Sequence, residues 1–290
     1  MRDIRNIVIL TGAGISAESG LETFRAADGL WAGHRVEDVA TPEAYARNPA
    51  LVHQFYDARR ARLSEVEPNA AHVALARLDA EWAGELLIVT QNVDDLHERA
   101  GATRLLHMHG EVKRGWCLAC GERFAWEGPM SPGDEGVSTA LDTNGWGESA
   151  PPSPFVPNDV EGRFCGAKGV SIPRLCSGEP SLGTNANVCP LCATVGMVRP
   201  NIVWFGEMPY EMERIEAALR GADLFVSVGT SGAVYPAAGF VQTARYCGAT
   251  TLEINLEPSQ GSVYFEERRY GRASELVPEW VAEMLDSPPF

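Results

Sequence analysis

Short apolar runs rich in β-branched residues recur along the chain and alternate with segments of helical periodicity. Each run is bounded by turn residues and is apolar on both faces, which is typical of strands buried in a parallel sheet. The runs lie at 6–10, 85–90, 201–205, 223–229 and 250–255. Helical patterns follow at 93–101 and 211–223, and at 273–286, where Pro278 is expected in or near the first turn. This alternation predicts an α/β fold with a doubly wound parallel sheet.

Two stretches interrupt the alternation. Residues 25–82 carry no strand signal and are expected to form several helices, with breaks near Asn48-Pro49 and Pro68-Asn69. Residues 113–196 are rich in loops and hold six of the seven cysteines, and 128–187 is dense in Gly, Pro and Ser. We expect both stretches to form a smaller second module inserted over the sheet.

The length, composition and net charge of the chain narrow the class of protein. A chain of 290 residues with 45% apolar residues can bury a substantial core. The net charge of −15 argues against a nucleic-acid partner, because phosphates would repel such a surface. No apolar run approaches the roughly 18 residues that cross a bilayer, so we expect no membrane partner. The start of the chain runs into a glycine turn, so we expect no signal peptide and a cytoplasmic protein. The oligomeric state stays open, with a monomer favoured.

A glycine-rich turn, TGAGISAESG at 11–20, follows the first apolar run. Gly12, Gly14 and Ala17 fit the relaxed dinucleotide fingerprint, in which alanine stands at the third position. Such a turn holds phosphates on backbone N–H groups. The sequence therefore predicts a bound dinucleotide, which the protein either uses as a hydride carrier or consumes.

Four cysteines form two CxxC pairs, Cys117/Cys120 and Cys189/Cys192. Two such turns complete the closed four-thiolate site of structural zinc, whereas a redox pair would need only one. About 68 residues separate the pairs, far more than in a zinc ribbon, so that span would have to be looped out. Cys165 and Cys176 lie inside the span and could replace a ligand. We predict one structural zinc ion held by the two pairs.

Two further polar segments could meet at the carboxyl ends of the strands, where folds of this type bind ligands. Gln91, Asn92 and Asp94 follow the run 85–90 and could bind ribose hydroxyls and an amide, although Asn and Asp also begin ordinary helices. His107 and His109 alternate, so on a strand both rings would face one side. Either histidine could be a structural group or could exchange protons near neutral pH.

Taken in order along the chain, these motifs resemble those of the sirtuins, the NAD-dependent protein lysine deacylases. The resemblance rests on 12–25, 90–97, 107–112, the two CxxC pairs, 199–207, 228–231 and 253–259, and leaves out only the long insert. It implies three parts: a Rossmann-like NAD-binding domain over 1–24, 69–112 and 197–290, the helical part of a small domain over 25–68, and a zinc-binding module with a long loop insertion over 113–196.

The resemblance also implies that NAD is consumed. The acyl-lysine amide oxygen would attack the nicotinamide ribose, nicotinamide would leave, and O-acyl-ADP-ribose would form. His109 would be the general base on a ribose hydroxyl, and His107 would be left to structure. Asn92 and Asp94 would orient the nicotinamide ribose and carboxamide, with Gln91 beside the ribose.

The remaining cofactor contacts are implied in the same way. Phe24 would shield the reactive ribose carbon from water, and Asn255 would hold the adenine ribose. Ala26 stands after Arg25 where many family members have glycine. The full set of residues predicted to bind the cofactor is Gly12, Ala13, Gly14, Ile15, Phe24, Arg25, Gln91, Asn92, Asp94, Gly229, Thr230, Ser231, Asn255 and Ala273.

Acylated lysine side chains of proteins are the partners that the resemblance implies. The segment VWFGE at 203–207 would form the edge on which the substrate backbone pairs as an added strand. The residues of that segment predicted to contact substrate are Val203, Phe205, Gly206 and Glu207.

A YxxR pattern bears on the acyl group. Tyr56 and Arg59 are three residues apart, so on a helix both project from one face, and a guanidinium beside a phenol can hold a carboxylate. The pattern is similar to that of the sirtuin branch that removes succinyl, malonyl or glutaryl groups. The other interpretation is a solvated arginine-rich face, because Arg60 and Arg62 lie close by. We predict removal of succinyl- or malonyl-type groups together with acetyl.

Other functions remain as alternatives. A dehydrogenase would need an acidic residue at the end of the second strand, and Glu37 and Asp38 lie near that distance but in no strand pattern. A non-enzymatic zinc-containing binding module would leave His109 and Asn92 unexplained. A plain deacetylase or an ADP-ribosyltransferase would use the same site.

Overall fold

The computed structural model describes residues 4–23, 30–31, 33–130 and 187–286, which belong to one compact unit. The strands are β1 (Asn6–Thr11), β2 (Leu30–Trp31), β3 (His34–Arg35), β4 (Glu85–Thr90), β5 (Leu105–His107), β6 (Gly110–Cys117), β7 (Arg123–Ala125), β8 (Val198–Ile202), β9 (Leu224–Val228), β10 (Thr250–Asn255) and β11 (Glu267–Tyr270). The helices are α1 (Ala13–Ala17), α2 (Val36–Val39), α3 (Pro42–Arg47), α4 (Pro49–Leu63), α5 (Ala70–Glu81), α6 (Leu96–Arg99), α7 (Met212–Gly221), α8 (Phe240–Tyr246) and α9 (Ala273–Asp286). None of these helices has the length and apolarity needed to cross a membrane.

Six of the strands form one parallel sheet in the order β11-β10-β9-β1-β4-β5. The first strand is central, because Ile9 of β1 lies opposite Ile88 of β4 on one side and Val226 of β9 on the other. From β1 the chain therefore builds the sheet outward in both directions. This arrangement confirms the predicted doubly wound α/β class.

Helices cover both faces of this sheet. Because side chains alternate along a strand, Ile9 points to one face and Leu10 to the other. Ile9 lies in a buried cluster with Leu75 of α5 and Val277 of α9. Leu10 lies in a second cluster with residues of α7 and α8, such as Leu219. The two clusters explain why the strands are apolar on both faces.

The prediction of a parallel strand at 201–205 is wrong. Strand β8 ends at Ile202 and is antiparallel to β6, in a separate three-stranded sheet of order β7-β6-β8. The segment 203–207 that follows is a turn, in which Gly206 has a φ of +90°. All five residues of β8 are buried, including the polar Arg199 and Asn201, and the apolar residues 203–205 of the predicted run lie beyond the strand.

Two smaller expectations also need correction. The stretch 25–82 contains a two-residue hairpin, β2–β3, which turns at Gly33 with a φ of +77°. Pro278 lies inside α9, at its sixth position, instead of in its first turn. Packing of the neighbouring Val277 and Trp280 into the core offsets the hydrogen bond that proline cannot donate.

The predicted breaks at Asn48-Pro49 and Pro68-Asn69 are helix starts. The Asn48 side chain accepts a hydrogen bond from Leu51 N at 3.1 Å, and the Asn69 side chain accepts one from Ala71 N at 3.0 Å. Asn69 also donates its side-chain amide to the oxygen of Ile15 at 2.8 Å. The start of α5 is thereby tied to the turn that follows β1. The division of the chain into the three predicted parts stays a prediction.

Candidate active site

The glycine turn after β1 touches the turn after β9 through backbone atoms. Gly14 N donates to Gly229 O at 2.8 Å, and a Cβ on Gly14 would lie 2.7 Å from Gly229 Cα. Gly229 has a φ of +63°, and a Cβ there would lie 2.4 Å from Ile15 N. Larger residues at these positions would separate the two turns. Of the neighbouring predicted residues, Ala13 is half-buried, whereas Ile15 is fully buried in the core.

Ser16 connects the glycine turn to the loop after β4. Its hydroxyl donates to Asp94 Oδ2 at 3.1 Å and accepts from Asn92 Nδ2 at 3.0 Å. Asn92 and Asp94 are each only 7% exposed. Burial raises the pKa of Asp94 to about 6, against hydrogen bonds from Leu96 N and Ser16 that lower it. The three side chains therefore form a buried polar cluster at the carboxyl ends of β1 and β4.

Two further histidines lie beneath this cluster. His72 Nε2 lies 3.4 Å from Ser16 Oγ, and His97 Nε2 lies 3.0 Å from Thr11 Oγ1. Burial lowers the pKa of His72 to about 4 and that of His97 to about 3. Both rings are therefore neutral at neutral pH and support the cluster without adding charge.

His107 and His109 both face the loop after β4, although only His107 lies within a strand. His109 Nδ1 lies 3.1 Å from the main-chain oxygen of Gln91, and His107 Nδ1 lies 3.0 Å from that of Asn92. A carbonyl oxygen only accepts, so His109 donates from Nδ1 and leaves Nε2 as the basic nitrogen. Burial lowers the pKa of His109, so its ring is neutral at neutral pH.

The ends of β9 and β10 supply the next predicted residues. Thr230 Oγ1 lies 2.8 Å from Ser227 Oγ, and Asn255 Nδ2 donates to Thr230 O at 2.8 Å. Ser231 is exposed beside them. Ala273, by contrast, is buried in the core at the start of α9. Gly12, Thr230 and Asn255 thus converge on one edge of the sheet, while Ala273 supports that edge from below.

The turn at 203–207 is attached directly to the histidine segment. Val203 N donates to His109 O at 2.9 Å, and Phe205 N donates to Ala40 O at 3.0 Å. Glu207 forms an ion pair with buried Arg199 at 2.7 Å. The N–H groups of Val203 and Phe205 are thus already used, so a substrate strand would have to pair with other backbone groups of this turn.

Tyr56 and Arg59 lie on α4, next to the same turn. Tyr56 is fully buried, and Trp204 Nε1 donates to its hydroxyl at 3.0 Å. Arg59 is half-buried, with its guanidinium carbon 3.3 Å from the centre of the Phe55 ring. The structure therefore joins α4 to His109 through the turn at 203–207.

Comparison with known proteins agrees with this geometry. The family model described as "Sir2 family" matches residues 12–236. The chain belongs to the Sir2 family. It is 46% identical over 281 residues to a protein of Pasteurella multocida named NAD-dependent protein deacylase, covering 96% of this chain and 97% of that one. The match confirms the predicted family and class of enzyme.

Further relatives of this sirtuin carry similar names. A protein of Leishmania major named NAD-dependent protein deacylase SIR2rp3 is 46% identical, over 98% of each chain. Among solved structures, a Sir2 homologue in complex with NAD has a TM-score of 0.71 and is 30% identical, covering 97% of this chain and 90% of that chain. This likeness agrees with the predicted NAD cofactor.

The four cysteines of this sirtuin meet the geometry of a zinc site. All four Sγ atoms lie within 4.8 Å of one another. Cys117 and Cys192 are 3.7 Å apart at sulfur, and Cys120 and Cys189 are 3.8 Å apart. Tetrahedral zinc with bonds of ~2.3 Å requires sulfurs ~3.8 Å apart, so the set fits a closed structural ion. The other candidate ligands, Cys165 and Cys176, lie outside the described residues.

The structure does not bring every residue of the sequence predictions to this site. Phe24 and Arg25 lie outside the described residues. Glu37 and Asp38 lie in the first turn of α2, after a two-residue strand that is not part of the parallel sheet, so they do not follow its second strand as a dehydrogenase would need. Sequence reasoning missed Ser16, although it stands inside the quoted motif 11–20, because a serine near a helix start carries no signal of a distant partner.

Proposed function

We propose that this sirtuin removes succinyl- or malonyl-type groups, and also acetyl groups, from lysine side chains of proteins. NAD would be consumed, and nicotinamide and O-acyl-ADP-ribose would be released. The single observation that carries the acidic specificity is Arg59, a half-buried cation on α4 three residues from Tyr56. Among the described residues Arg59 forms no salt bridge, and the carboxylate whose charge acts on it is that of Glu22.

The predicted NAD contacts support this assignment by their position. When bound, NAD supplies an electrophilic ribose carbon and a leaving nicotinamide. Gly12, Gly14 and Gly229 would shape the phosphate site indirectly, since a Cβ on any of them would collide with the facing turn and separate the two turns. Thr230 and Asn255 would hold the phosphate or ribose at the edge of the sheet, with Ala13 and Ser231 beside them.

The nicotinamide end would lie over the buried polar cluster. Asn92 would contribute its amide and Asp94 its carboxylate, with Gln91 beside the ribose. Ser16 holds both side chains in one orientation through two hydrogen bonds, so little reorganisation would be needed on binding. The raised pKa of Asp94 means that its charge develops only above about pH 6.

His109 would act as the general base on a ribose hydroxyl. Its Nδ1 is engaged by the Gln91 oxygen, which fixes the tautomer whose Nε2 accepts a proton. Burial lowers its pKa, so the ring is neutral and competent at neutral pH. The rate should therefore fall when the pH drops below that pKa.

Tyr56 and Arg59 would divide the recognition of an acidic acyl group. An indole N–H only donates, so the Tyr56 oxygen is the acceptor of the bond from Trp204 and its own proton remains available. Arg59 would supply the positive charge and two parallel N–H donors. Burial lowers the pKa of Arg59 to about 10, so it stays charged at neutral pH.

The neighbouring arginine behaves differently. Arg60 is only 6% exposed and donates to Asp57 Oδ1 at 2.5 Å and to Val112 O at 2.9 Å. It is therefore a structural cation whose charge is already neutralised. Arg62 is exposed and pairs with Glu65. The alternative of a solvated arginine-rich face fits Arg62 but fits neither Arg59 nor Arg60.

The remaining predictions follow from the same assignment. The four cysteines would hold zinc as a structural ion, and the turn at 203–207, with Phe205, Gly206 and Glu207, would carry the substrate backbone. A plain deacetylase and an ADP-ribosyltransferase remain the alternatives at this site. The cytoplasmic location, the monomeric state and the absence of nucleic-acid and membrane partners stay predictions.

The decisive experiment compares one peptide in acetyl-, succinyl- and unmodified-lysine forms, with NAD, by nicotinamide release and by mass of the peptide product. Arg59→Met should lower kcat/KM for the succinyl peptide by about 30-fold, because a charge-assisted pair to the acyl carboxylate is lost. The kcat/KM for the acetyl peptide should not change. Arg62→Met, on the same helix but exposed, is the matched control and should change neither.

The outcome separates the candidate functions. Loss of the succinyl preference in Arg59→Met alone would support the proposal. If acetyl-lysine is preferred by the wild type and Arg59→Met changes nothing, the enzyme is a plain deacetylase. Nicotinamide release without loss of the acyl group, accompanied by ADP-ribosylated peptide, would indicate ADP-ribosyl transfer instead.

A further inference from the structure

His107 faces a hydrogen-bond acceptor at each of its ring nitrogens. Its Nδ1 lies 3.0 Å from the main-chain oxygen of Asn92, and its Nε2 lies 2.7 Å from Oε1 of Glu98. A carbonyl oxygen only accepts, and so does an ionised carboxylate, so both nitrogens have to donate. Only the protonated ring carries two N–H donors. The contacts of His107 are therefore those of an imidazolium cation.

The geometry points to His107 as a positioning residue, whose imidazolium ring holds the Asn92 carbonyl and the Glu98 carboxylate and so fixes the loop that binds NAD. Two successive carbonyls of this loop, those of Gln91 and Asn92, are each held by one histidine, His109 and His107. The inference rests on the proposed function, because its effect on rate requires Asn92 to contact NAD.

The charges around His107 favour its protonated form. Burial alone would lower the pKa of His107, but the hydrogen bond and charge of Glu98 outweigh it and raise that pKa, with a further contribution from Glu111 on β6. Two other groups face the ring. His97 on α6 is neutral, because burial lowers its pKa to about 3, and Asp94 in the loop carries its negative charge above about pH 6.

The histidine two positions later has the opposite state. Burial lowers the pKa of His109, and within the described residues it makes no contact with a carboxylate. Neighbouring groups whose pKa values are pushed apart commonly serve different roles at one site. Activity should therefore require a neutral His109 and a protonated His107. The pH profile should have an acidic limb from His109 and an alkaline limb from His107.

The protonation state can be measured without any assay of activity. In the full chain with ¹⁵N-labelled histidine, long-range ¹H–¹⁵N correlation reports whether each ring nitrogen carries a proton, and His107→Phe assigns the His107 signals among the six histidines. At pH 7 both nitrogens of His107 should show the imidazolium pattern. In Glu98→Gln the His107 ring should lose its proton at a lower pH than in the wild type, because the negative charge that raises its pKa is gone.

The kinetic consequence is read from kcat/KM for NAD against pH, with the acylated peptide at saturation. The contribution of His107 is present below its pKa and is lost as the pH rises through it, so Glu98→Gln should move the alkaline limb to lower pH. His107→Phe should lower kcat/KM by about tenfold across the range and should lack that limb. Glu111→Gln removes a charge from the same surroundings without removing a hydrogen bond, and should shift the limb less.

The outcomes separate the inference from the function on which it rests. A neutral His107 at pH 7 overturns the inference whatever the activity. An imidazolium whose loss leaves the alkaline limb unchanged in Glu98→Gln and His107→Phe also overturns it and makes the residue purely structural. If no acyl-lysine is turned over, the proposed function fails, and calorimetric binding of NAD to the wild type and Glu98→Gln across the same pH range then tests the loop directly.

Discussion

The two ends of the proposed site are built in opposite ways. At the nicotinamide end, Ser16, Asn92 and Asp94 are buried, and Ser16 is hydrogen-bonded to both of the others. At the acyl end, Arg59 is half-buried, contacts the rings of Phe55 and Trp31 and the Phe55 oxygen, and forms no salt bridge with the described residues. The first end is hydrogen-bonded before any ligand arrives, whereas at the second end Arg59 forms no salt bridge with the described residues.

This difference indicates how the two ends divide their roles. A satisfied, buried network reorganises little and should serve every substrate alike. A cation without a counter-ion gains most from a ligand that carries a carboxylate. We therefore expect changes at the nicotinamide end to affect all acyl groups equally, and changes at the acyl end to affect only acidic ones. The following predictions test that separation.

The largest effect is expected at His109. His109→Ala should lower kcat by about 10³-fold for acetyl and succinyl peptides equally, because a positioned base contributes roughly 10²–10⁴-fold. Nicotinamide release with each peptide is the measurement. His34→Ala is the control with the acetyl peptide only, because this exposed histidine packs against the Phe55 ring beside Arg59. A loss confined to one acyl group would break the proposed separation between the two ends.

The second prediction concerns the free energy of unfolding, because burial of the Asp94 carboxylate at the nicotinamide end destabilises the folded chain. Burial raises the pKa of Asp94 from 3.8 to about 6. Between these values the folded chain retains a proton that the unfolded chain has released, so stability falls as the pH rises. Above about pH 6 the cost is complete and amounts to ~3 kcal/mol, at ~1.4 kcal/mol for each pKa unit.

Urea unfolding of the wild type and of Asp94→Asn at about pH 4 and about pH 7 measures this cost. The free energy of unfolding of the variant, relative to the wild type, should increase by ~2 kcal/mol between the two, because a small part of the cost is already present at about pH 4. Asp38→Asn, which removes a half-exposed carboxylate paired with Arg47, is the control. If the difference in free energy of unfolding between Asp94→Asn and the wild type does not change with pH, burial does not raise the pKa of Asp94.

The sequence predicts the parallel sheet well and the contacts beneath the site poorly. Strands β1, β4, β9 and β10 are apolar on both faces because helices cover both faces of the sheet. Their pattern can therefore be recognised from the local sequence. The run 201–205 is similarly apolar, but only Asn201 and Ile202 of it belong to a strand, β8, which is antiparallel to β6 and packs against α4. The apolar pattern of a run therefore does not show where its strand ends or which sheet the strand joins.

The same limit applies to single residues. The motif that carries Asn92 and Asp94 is short and local, but their shared partner Ser16 lies 76 residues away from Asn92. Arg59 and Arg60 are adjacent in sequence, but only Arg60 lies where Asp57 and Val112 can accept its hydrogen bonds. Such roles depend on which strands become neighbours, which local sequence does not determine.

The smallest effect is expected at Trp204, which joins the two ends. Its indole nitrogen donates to the Tyr56 hydroxyl, while Val203 beside it donates its N–H to the oxygen of His109. Trp204→Phe keeps most of the ring but removes the donor, so the Tyr56 proton is no longer directed by a partner. We expect about a fivefold lower kcat/KM for the succinyl peptide, the size of one neutral hydrogen bond, and little change for the acetyl peptide.

The matched control for Trp204→Phe is Tyr56→Phe, which removes the other half of the same hydrogen bond. If the bond acts through the Tyr56 proton, the double variant should be no worse than Tyr56→Phe alone, since the two changes then remove one interaction. Additive losses would mean that Trp204 acts by packing against Arg199, whose guanidinium carbon lies 3.3 Å from the centre of its ring. An equal loss for both acyl groups would instead mean that the turn at 203–207 transmits the change to His109, and the two ends would then be one coupled unit.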